Sequence, residues 1–175
     1  PDIMVGGKGL SGGYAPLGGV YTTDRVVEPI AAANRGLMFF TFSASPGACA
    51  AGIAALTVLD DENLVEASAI KGETFLTLLK TLETHPHVRE VRGLGLMLGV
   101  ELVADKETGT PYLPDQAIAT QVVAEALERG VWIYPAGDGN APDALLIGPP
   151  FTITEPEMNT VVTVIGEAIT AACGD

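Results

Sequence analysis

Residues 1–26, PDIMVGGKGLSGGYAPLGGVYTTDRV, carry the reading on which the rest depends. Residues 1–7 hold a short apolar run, Ile3-Met4-Val5, that stops at Gly6 and Gly7. Residues 17–23, LGGVYTT, hold a second β-prone run. Short apolar runs bounded by glycine read as strands, here of a parallel or mixed sheet. The intervening KGLSGGYAPLGG is too rich in Gly and Pro for a regular element, so Lys8 falls in a turn at the end of a strand.

Further along, the pattern alternates. A short helix is expected from about Asp24 to Asn34, and another from near Pro46 to Leu59. A longer helix is expected from near Asp61, with Leu64, Val65, Phe75, Leu78, Leu79 and Leu82 at roughly helical spacing and Pro86 ending it. GLMLGVELV (95–103) reads as a strand. DQAIATQVVAEALERG (115–130) reads as a helix with Asp115 as its cap, a stripe of Ile118, Val122, Val123, Ala126 and Leu127, and Gly130 just past its end. VWIYP (131–135) and ALLIG (144–148) read as strands joined by the turn-rich AGDGNAPD (136–143). Thr154 and Glu157 form a T-x-x-E capping box for a last helix lined by Met158, Val161, Val162, Ile165 and Ile169. The alternation predicts an α/β fold. The expected organisation is a first block at 1–60, a connecting helix at 61–84 and a smaller domain at 85–175.

Composition narrows the function. The formal charge is -13, from 9 basic and 22 acidic residues, and the basic ones are scattered. No basic patch exists to neutralise phosphates, which argues against nucleic acid and anionic membranes as partners. No leader and no long apolar span stands out, so a soluble, cytoplasmic protein is expected. Cys49 and Cys173 fit no metal spacing, and no metal is expected; Cys49, in an apolar run, reads as a small core residue. The chain starts at Pro1 without a methionine, which fits a cut, split or trimmed chain.

Three chemistries compete for the glycine-rich turn. A phosphate-binding P-loop needs Ser or Thr after its lysine, but Lys8 is followed by Gly9. A dinucleotide fingerprint is matched by Gly7, Gly9 and Gly12, yet it needs a helix to open there, and Gly13 and Pro16 oppose one. The third chemistry makes Lys8 an amine that attacks an aldehyde, with glycines allowing close approach. Spacing alone leaves this last reading beside a plain solvated loop lysine.

A resemblance separates them. PDIMVGGKGLSGGYAPLGGVYTTDRV is similar to the lysine segment of the class III (omega) pyridoxal-phosphate-dependent aminotransferases. FTFSASPGACAAGIAAL (40–56) resembles the family's segment that offers a threonine to the cofactor phosphate; that threonine is Thr41, 33 residues after Lys8, as the resemblance requires. VRGLGLMLGVELV (91–103) and ALLIGPPFTITEPEM (144–158) resemble the entry to the family's C-terminal domain and its last strand-to-helix passage.

The resemblance implies the C-terminal part of a fold type I enzyme: the end of a large mixed-sheet domain plus a small α/β domain. It implies that Lys8 holds pyridoxal 5'-phosphate as a Schiff base and shuttles a proton, and that Thr41 anchors the phosphate. The implied reaction is amino-group transfer between an amine or amino acid and a keto acid or aldehyde, in a dimer. An aminomutase or decarboxylase would use the same two residues, and a non-catalytic interaction fragment is a further alternative. There are departures. Some members carry an arginine where Leu146 stands, the usual histidine near the threonine block is replaced around Ser45, and Arg92 is a candidate substitute for gripping a carboxylate. The family's phosphate loop, stacking aromatic and pyridine aspartate have no counterpart after Pro1, so a complementary N-terminal polypeptide is the expected partner.

Overall fold

The computed structural model of the chain describes residues 1–34, 40–137 and 142–174. The chain divides into two compact units, Pro1–Asn63 and Leu64–Asp175.

In the first unit, strands β1 (Ile3–Gly6) and β2 (Gly19–Thr22) pair antiparallel, with Ile3 opposite Thr22 and Gly6 opposite Gly19. Successive side chains on a strand point to opposite faces. Met4 and Val5 are both exposed, as are Val20 and Tyr21. The ribbon therefore presents apolar residues on both faces, the pattern of strands meant to be covered on both sides. Helix α1 (Asp24–Ala32) follows β2, and helix α2 (Pro46–Asp61) packs on the turn after β1. Proline suits the start of α2, because the first helical N–H has no partner in any case.

The second unit contains the core. Helix α3 (Leu64–Leu79) is followed by strands β3 (Val88–Leu94) and β4 (Met97–Leu102), helix α4 (Ile118–Glu128), strands β5 (Tyr134–Ala136) and β6 (Ala144–Ile147), and helix α5 (Glu155–Cys173). The four strands form one antiparallel sheet in the order β3-β4-β6-β5. Val91, Val100 and Leu145 lie in one cross-strand row and Leu98 with Ile147 in the next, all buried. Phe75 and Leu79 of α3, Val122 and Ala126 of α4, and Ile165 and Ile169 of α5 close over that face in the same cluster. Each fully buried aliphatic or aromatic side chain contributes about 1.5–3 kcal/mol.

Several sequence expectations meet a different structure. Strand β3 escapes a period-two reading because a bulge between Val88 and Glu90 puts Val88 and Val91 inward although they are three residues apart. Asp115 does not cap α4; it lies in a one-turn 3-10 segment, Pro114–Gln116, and the cap position is Ala117 in the left-handed region. The α4 start is instead served from a distance, as the Ala119 N–H donates to Asp143 Oδ1 at 3.4 Å. Val65 and Leu127, placed in apolar stripes, are exposed. The helix expected from Asp61 begins at Leu64, because α2 runs on to Asp61. Part of the turn expected at 136–143 lies outside the described residues.

The capping box of α5 is formed. The Thr154 N–H and hydroxyl both donate to Glu157 Oε2 at 2.7 Å. Those bonds, from the hydroxyl first and the backbone second, hold the Glu157 carboxyl below its usual range.

Helix α3 meets the β3–β4 hairpin through backbone. A methyl group at Gly72 would lie 2.3 Å from the Gly95 carbonyl oxygen, whereas one at Gly99 would meet nothing closer than 3.7 Å. Gly72→Ala is therefore expected to lower stability by roughly 1–3 kcal/mol through overpacking. Gly99→Ala should leave it nearly unchanged. Urea unfolding of both variants, followed by far-ultraviolet circular dichroism, checks the contrast.

Candidate functional site

Lys8 lies where β1 ends. Gly7 is extended (φ -172), and a 3-10 turn, Lys8–Ser11, begins at once. Lys8 itself has φ +51, in the left-handed region. For a side chain with a Cβ this conformation costs roughly 1–2 kcal/mol. Such outliers persist where the surroundings fix them, and they gather at functional positions. Turn bonds frame the residue: Leu10 N–H to Gly7 O at 3.1 Å and Gly12 N–H to Gly9 O at 2.9 Å. The loop is then closed by Ser11, fully buried, whose hydroxyl donates to Ala15 O at 2.5 Å. Lys8 is exposed, and the space that a side chain at Gly9 would fill is open.

Thr41 belongs to the same unit. It is exposed in a turn that leads into α2. A primary amine on a fixed turn, open space beside it and a free-standing hydroxyl suit an aldehyde-bearing cofactor with a phosphate. Of what such a cofactor needs, these residues fit an attachment point and one anchor.

Arg92 and Leu146 belong to the second unit, on the sheet face away from the core. Arg92 is opposite Gly99, Gly99 opposite Leu146, and Leu146 opposite Tyr134, so the four form one row across the sheet. Two strand spacings separate Arg92 from Leu146, about 10 Å. Arg92 is already engaged. Its Nη1 donates to Glu101 Oε2 at 2.7 Å and to Glu90 Oε2 at 3.2 Å, and Arg89 reaches Glu101 Oε1 at 3.2 Å. The hydrogen bond that Arg92 donates to Glu101, then the charges of Glu101 and Glu90, raise the guanidinium pKa further and hold it protonated. Glu101 is buried beneath the two arginines. Sequence reading passed over it, although a lone carboxylate inside the apolar run GLMLGVELV was the available signal.

Beside that row is a cavity of about 680 Å³ lined by Leu94, Met97, Trp132, Tyr134, Leu146 and Phe151. Its lining carries no charged side chain among the described residues. A volume of this size lies within the roughly 300–1,000 Å³ typical of ligand pockets.

A second polar cluster is structural. His87 Nδ1 lies 3.0 Å from Val103 O and 2.8 Å from the Tyr112 hydroxyl. A carbonyl only accepts, so the contact with Val103 O is made by the Nδ1–H tautomer of His87. Burial, then the neighbouring Cys173, raises the Tyr112 pKa; burial likewise raises that of the Cys173 thiol. Among the described residues there is no group of three or more His, Cys, Asp or Glu side chains able to hold a metal ion. No described helix is long and apolar enough to cross a membrane.

Comparison with known proteins gives the family and the fold. The family model "Aminotransferase class-III" matches residues 1–169. An adenosylmethionine-8-amino-7-oxononanoate aminotransferase of Nitratidesulfovibrio vulgaris is 37% identical over 98% of this chain and 31% of that protein. An (S)-enantioselective omega-transaminase from Thermomicrobium roseum superimposes with a TM-score of 0.90 at 37% identity, over 98% of this chain and 38% of that one. An amine transaminase from an uncultivated Pseudomonas species, solved with PLP bound, gives 0.89 at 32% identity, over 98% and 39%. The chain belongs to the class-III aminotransferases. Its mixed α/β fold is that of a C-terminal part of the fold type I transaminases. It spans between about a third and two fifths of the length of these relatives.

The Lys8 turn yields a test of its strain. Lys8→Gly removes the left-handed penalty, whereas Lys8→Ala keeps it, so the glycine variant should be the more stable of the two by about 1 kcal/mol. Thermal unfolding of both variants measures the difference, and equal stabilities would show that residue 8 is unstrained.

Proposed function

We propose that this chain is the lysine-bearing part of a pyridoxal-phosphate-dependent aminotransferase that moves an amino group between an amine or amino acid and a keto acid or aldehyde. The observation that carries the reading is Lys8: it occupies the family's lysine segment and is held at φ +51 on a turn with open space beside it. When bound, the pyridoxal ring supplies the electron sink that makes loss of a substrate proton feasible. The part of Lys8 is to attach the cofactor through Nζ and, once released, to carry a proton to and from the substrate carbon. Its amine must be neutral to do so, which calls for a desolvated setting. Lys8 is exposed in this chain, so the desolvating walls come from elsewhere in the assembly.

Thr41 is assigned the cofactor phosphate, donating its hydroxyl to a phosphate oxygen bound in the other subunit of a dimer. The amine donor is read as apolar or an omega-amino acid rather than a short dicarboxylate. Leu146 stands where an arginine would grip a carboxylate, and Arg92, in the same sheet row, is held by Glu90 and Glu101.

The proposed assembly includes a complementary N-terminal polypeptide, in a cytoplasmic dimer. One lysine and one threonine cannot hold a phosphate dianion and also protonate a pyridine ring. Folding supports the same reading. Among the described residues, every buried hydrophobic side chain lies at or beyond Phe75, while Ile3, Val5, Val20, Phe42 and Ile53 of the first unit are exposed. In domain terms, residues 1–60 are the tail of a cofactor-binding large domain, 61–84 the connection and 85–175 the small domain.

Two experiments address this. Reductive trapping of pyridoxal phosphate with borohydride on the assembled enzyme, followed by peptide mapping, should mark Lys8; a mark on Lys71, Lys80 or Lys106 instead refutes the assignment. Thr41→Ala should weaken cofactor affinity by roughly 1.5–3 kcal/mol, the worth of a hydrogen bond to a charged group. Its turnover at saturating cofactor should change much less. Equilibrium dialysis against pyridoxal phosphate measures the first quantity and steady-state kinetics the second.

A further inference from the structure

We infer that Ser11 is a positioning residue for Lys8, holding the lysine backbone in its left-handed conformation through a buried hydroxyl; this rests on the reading of Lys8 as the cofactor lysine. The first unit leaves most of its described apolar side chains exposed, yet Ser11 is fully buried. A hydroxyl is costly to bury without a partner. Here it has one in Ala15 O, at 2.5 Å. That bond spans Gly12 and Gly13, whose φ values of +61 and +81 turn the chain back on itself.

The backbone bonds link this closure to the lysine. Leu10 N–H reaches back across Lys8 to Gly7 O, Gly12 N–H reaches Gly9 O, and Tyr14 N–H reaches Ser11 O at 3.1 Å. These overlapping turns form one connected unit from Gly7 to Tyr14, and the Ser11 hydroxyl is the side-chain bond that closes it. A lysine at φ +51 relaxes to negative φ unless its neighbours prevent it. Loosening the turn at Ser11 frees that relaxation, and rotation about the Lys8 backbone redirects Nζ. The far end of the loop is held independently, since Leu17 packs over Gly52 of α2, where an added Cβ would lie 2.5 Å from Leu17 Cδ2. Removing the hydroxyl is therefore expected to act on the turn without detaching the loop from α2.

The test uses the assembled enzyme with this chain isotopically labelled and the cofactor removed, as wild type, Ser11→Ala and Ser11→Cys. The cysteine variant keeps the volume nearly constant and replaces a strong hydrogen bond by a weak one. NMR couplings that report the φ of residue 8 should show the left-handed value in the wild type and an average of two conformers in both variants. Amide exchange at Gly12 and Tyr14 should quicken by about fivefold, the worth of one net hydrogen bond, while exchange within α2 stays as in the wild type. Unchanged couplings at Lys8 in both variants, or a wild type without the left-handed value, would overturn the role of Ser11. Borohydride trapping of added pyridoxal phosphate on the assembled enzyme is the separate arm. The yield at Lys8 relative to Lys71, Lys80 and Lys106 should fall in both variants. Wild-type trapping at another lysine overturns the cofactor reading itself, and the couplings tell that failure apart from a failure of Ser11 to position the residue.

Discussion

The second unit depends on a single constraint: its antiparallel sheet has all its helices on one side. The register that sets Val91, Val100 and Leu145 in one row and Leu98 with Ile147 in the next sends every one of them into the same core. Because side chains alternate along a strand, the same register dictates the opposite face. Arg92, Gly99, Leu146 and Tyr134 appear there by consequence. A slip of one residue in β6 would bury Leu146 and expose Leu145. The composition of the outer face is thus fixed by the packing of the inner one.

The first unit is organised by turn chemistry rather than by burial. Its two strands show apolar side chains to both sides, and between them consecutive turn bonds and one side-chain bond order the segment from Gly7 to Ala15. Backbone bonds and a buried hydroxyl maintain a costly conformation at Lys8 in a segment with little core of its own. That arrangement is economical if surrounding polypeptide contributes the burial and this segment contributes the geometry.

Much of this was legible in the sequence, for identifiable reasons. Helix α5 announces itself because Thr154 and Glu157 are local partners and Met158, Ile165 and Ile169 keep a helical period. Strand β4 is legible as an apolar run. Strand β3 is not, since a bulge breaks the alternation on which such a reading relies. The cap of α4 is illegible for a different reason: Asp143, which serves it, is 24 residues away from Ala119, and no local pattern encodes that pairing. Lys8 and Thr41 are assigned by resemblance alone, and their neighbours in the sequence explain little without coordinates. The importance of Ser11 depends on burial, which an isolated serine before two glycines does not reveal. The engagement of Arg92 was hidden in the same way, because Glu101 meets it only across the β3–β4 pairing.

The contact between Tyr112 and Cys173 bears on the chemical durability of the chain. Oxidants and alkylating reagents attack the thiolate of a cysteine, and a thiol kept protonated by burial reacts slowly with either. Cys173 is such a thiol, and it lies on the last turn of α5, against a tyrosine that is itself kept from ionising. With both groups held in their neutral forms, the end of α5 meets the loop that carries Tyr112 through an uncharged contact, one that a moderate rise in pH leaves unaltered.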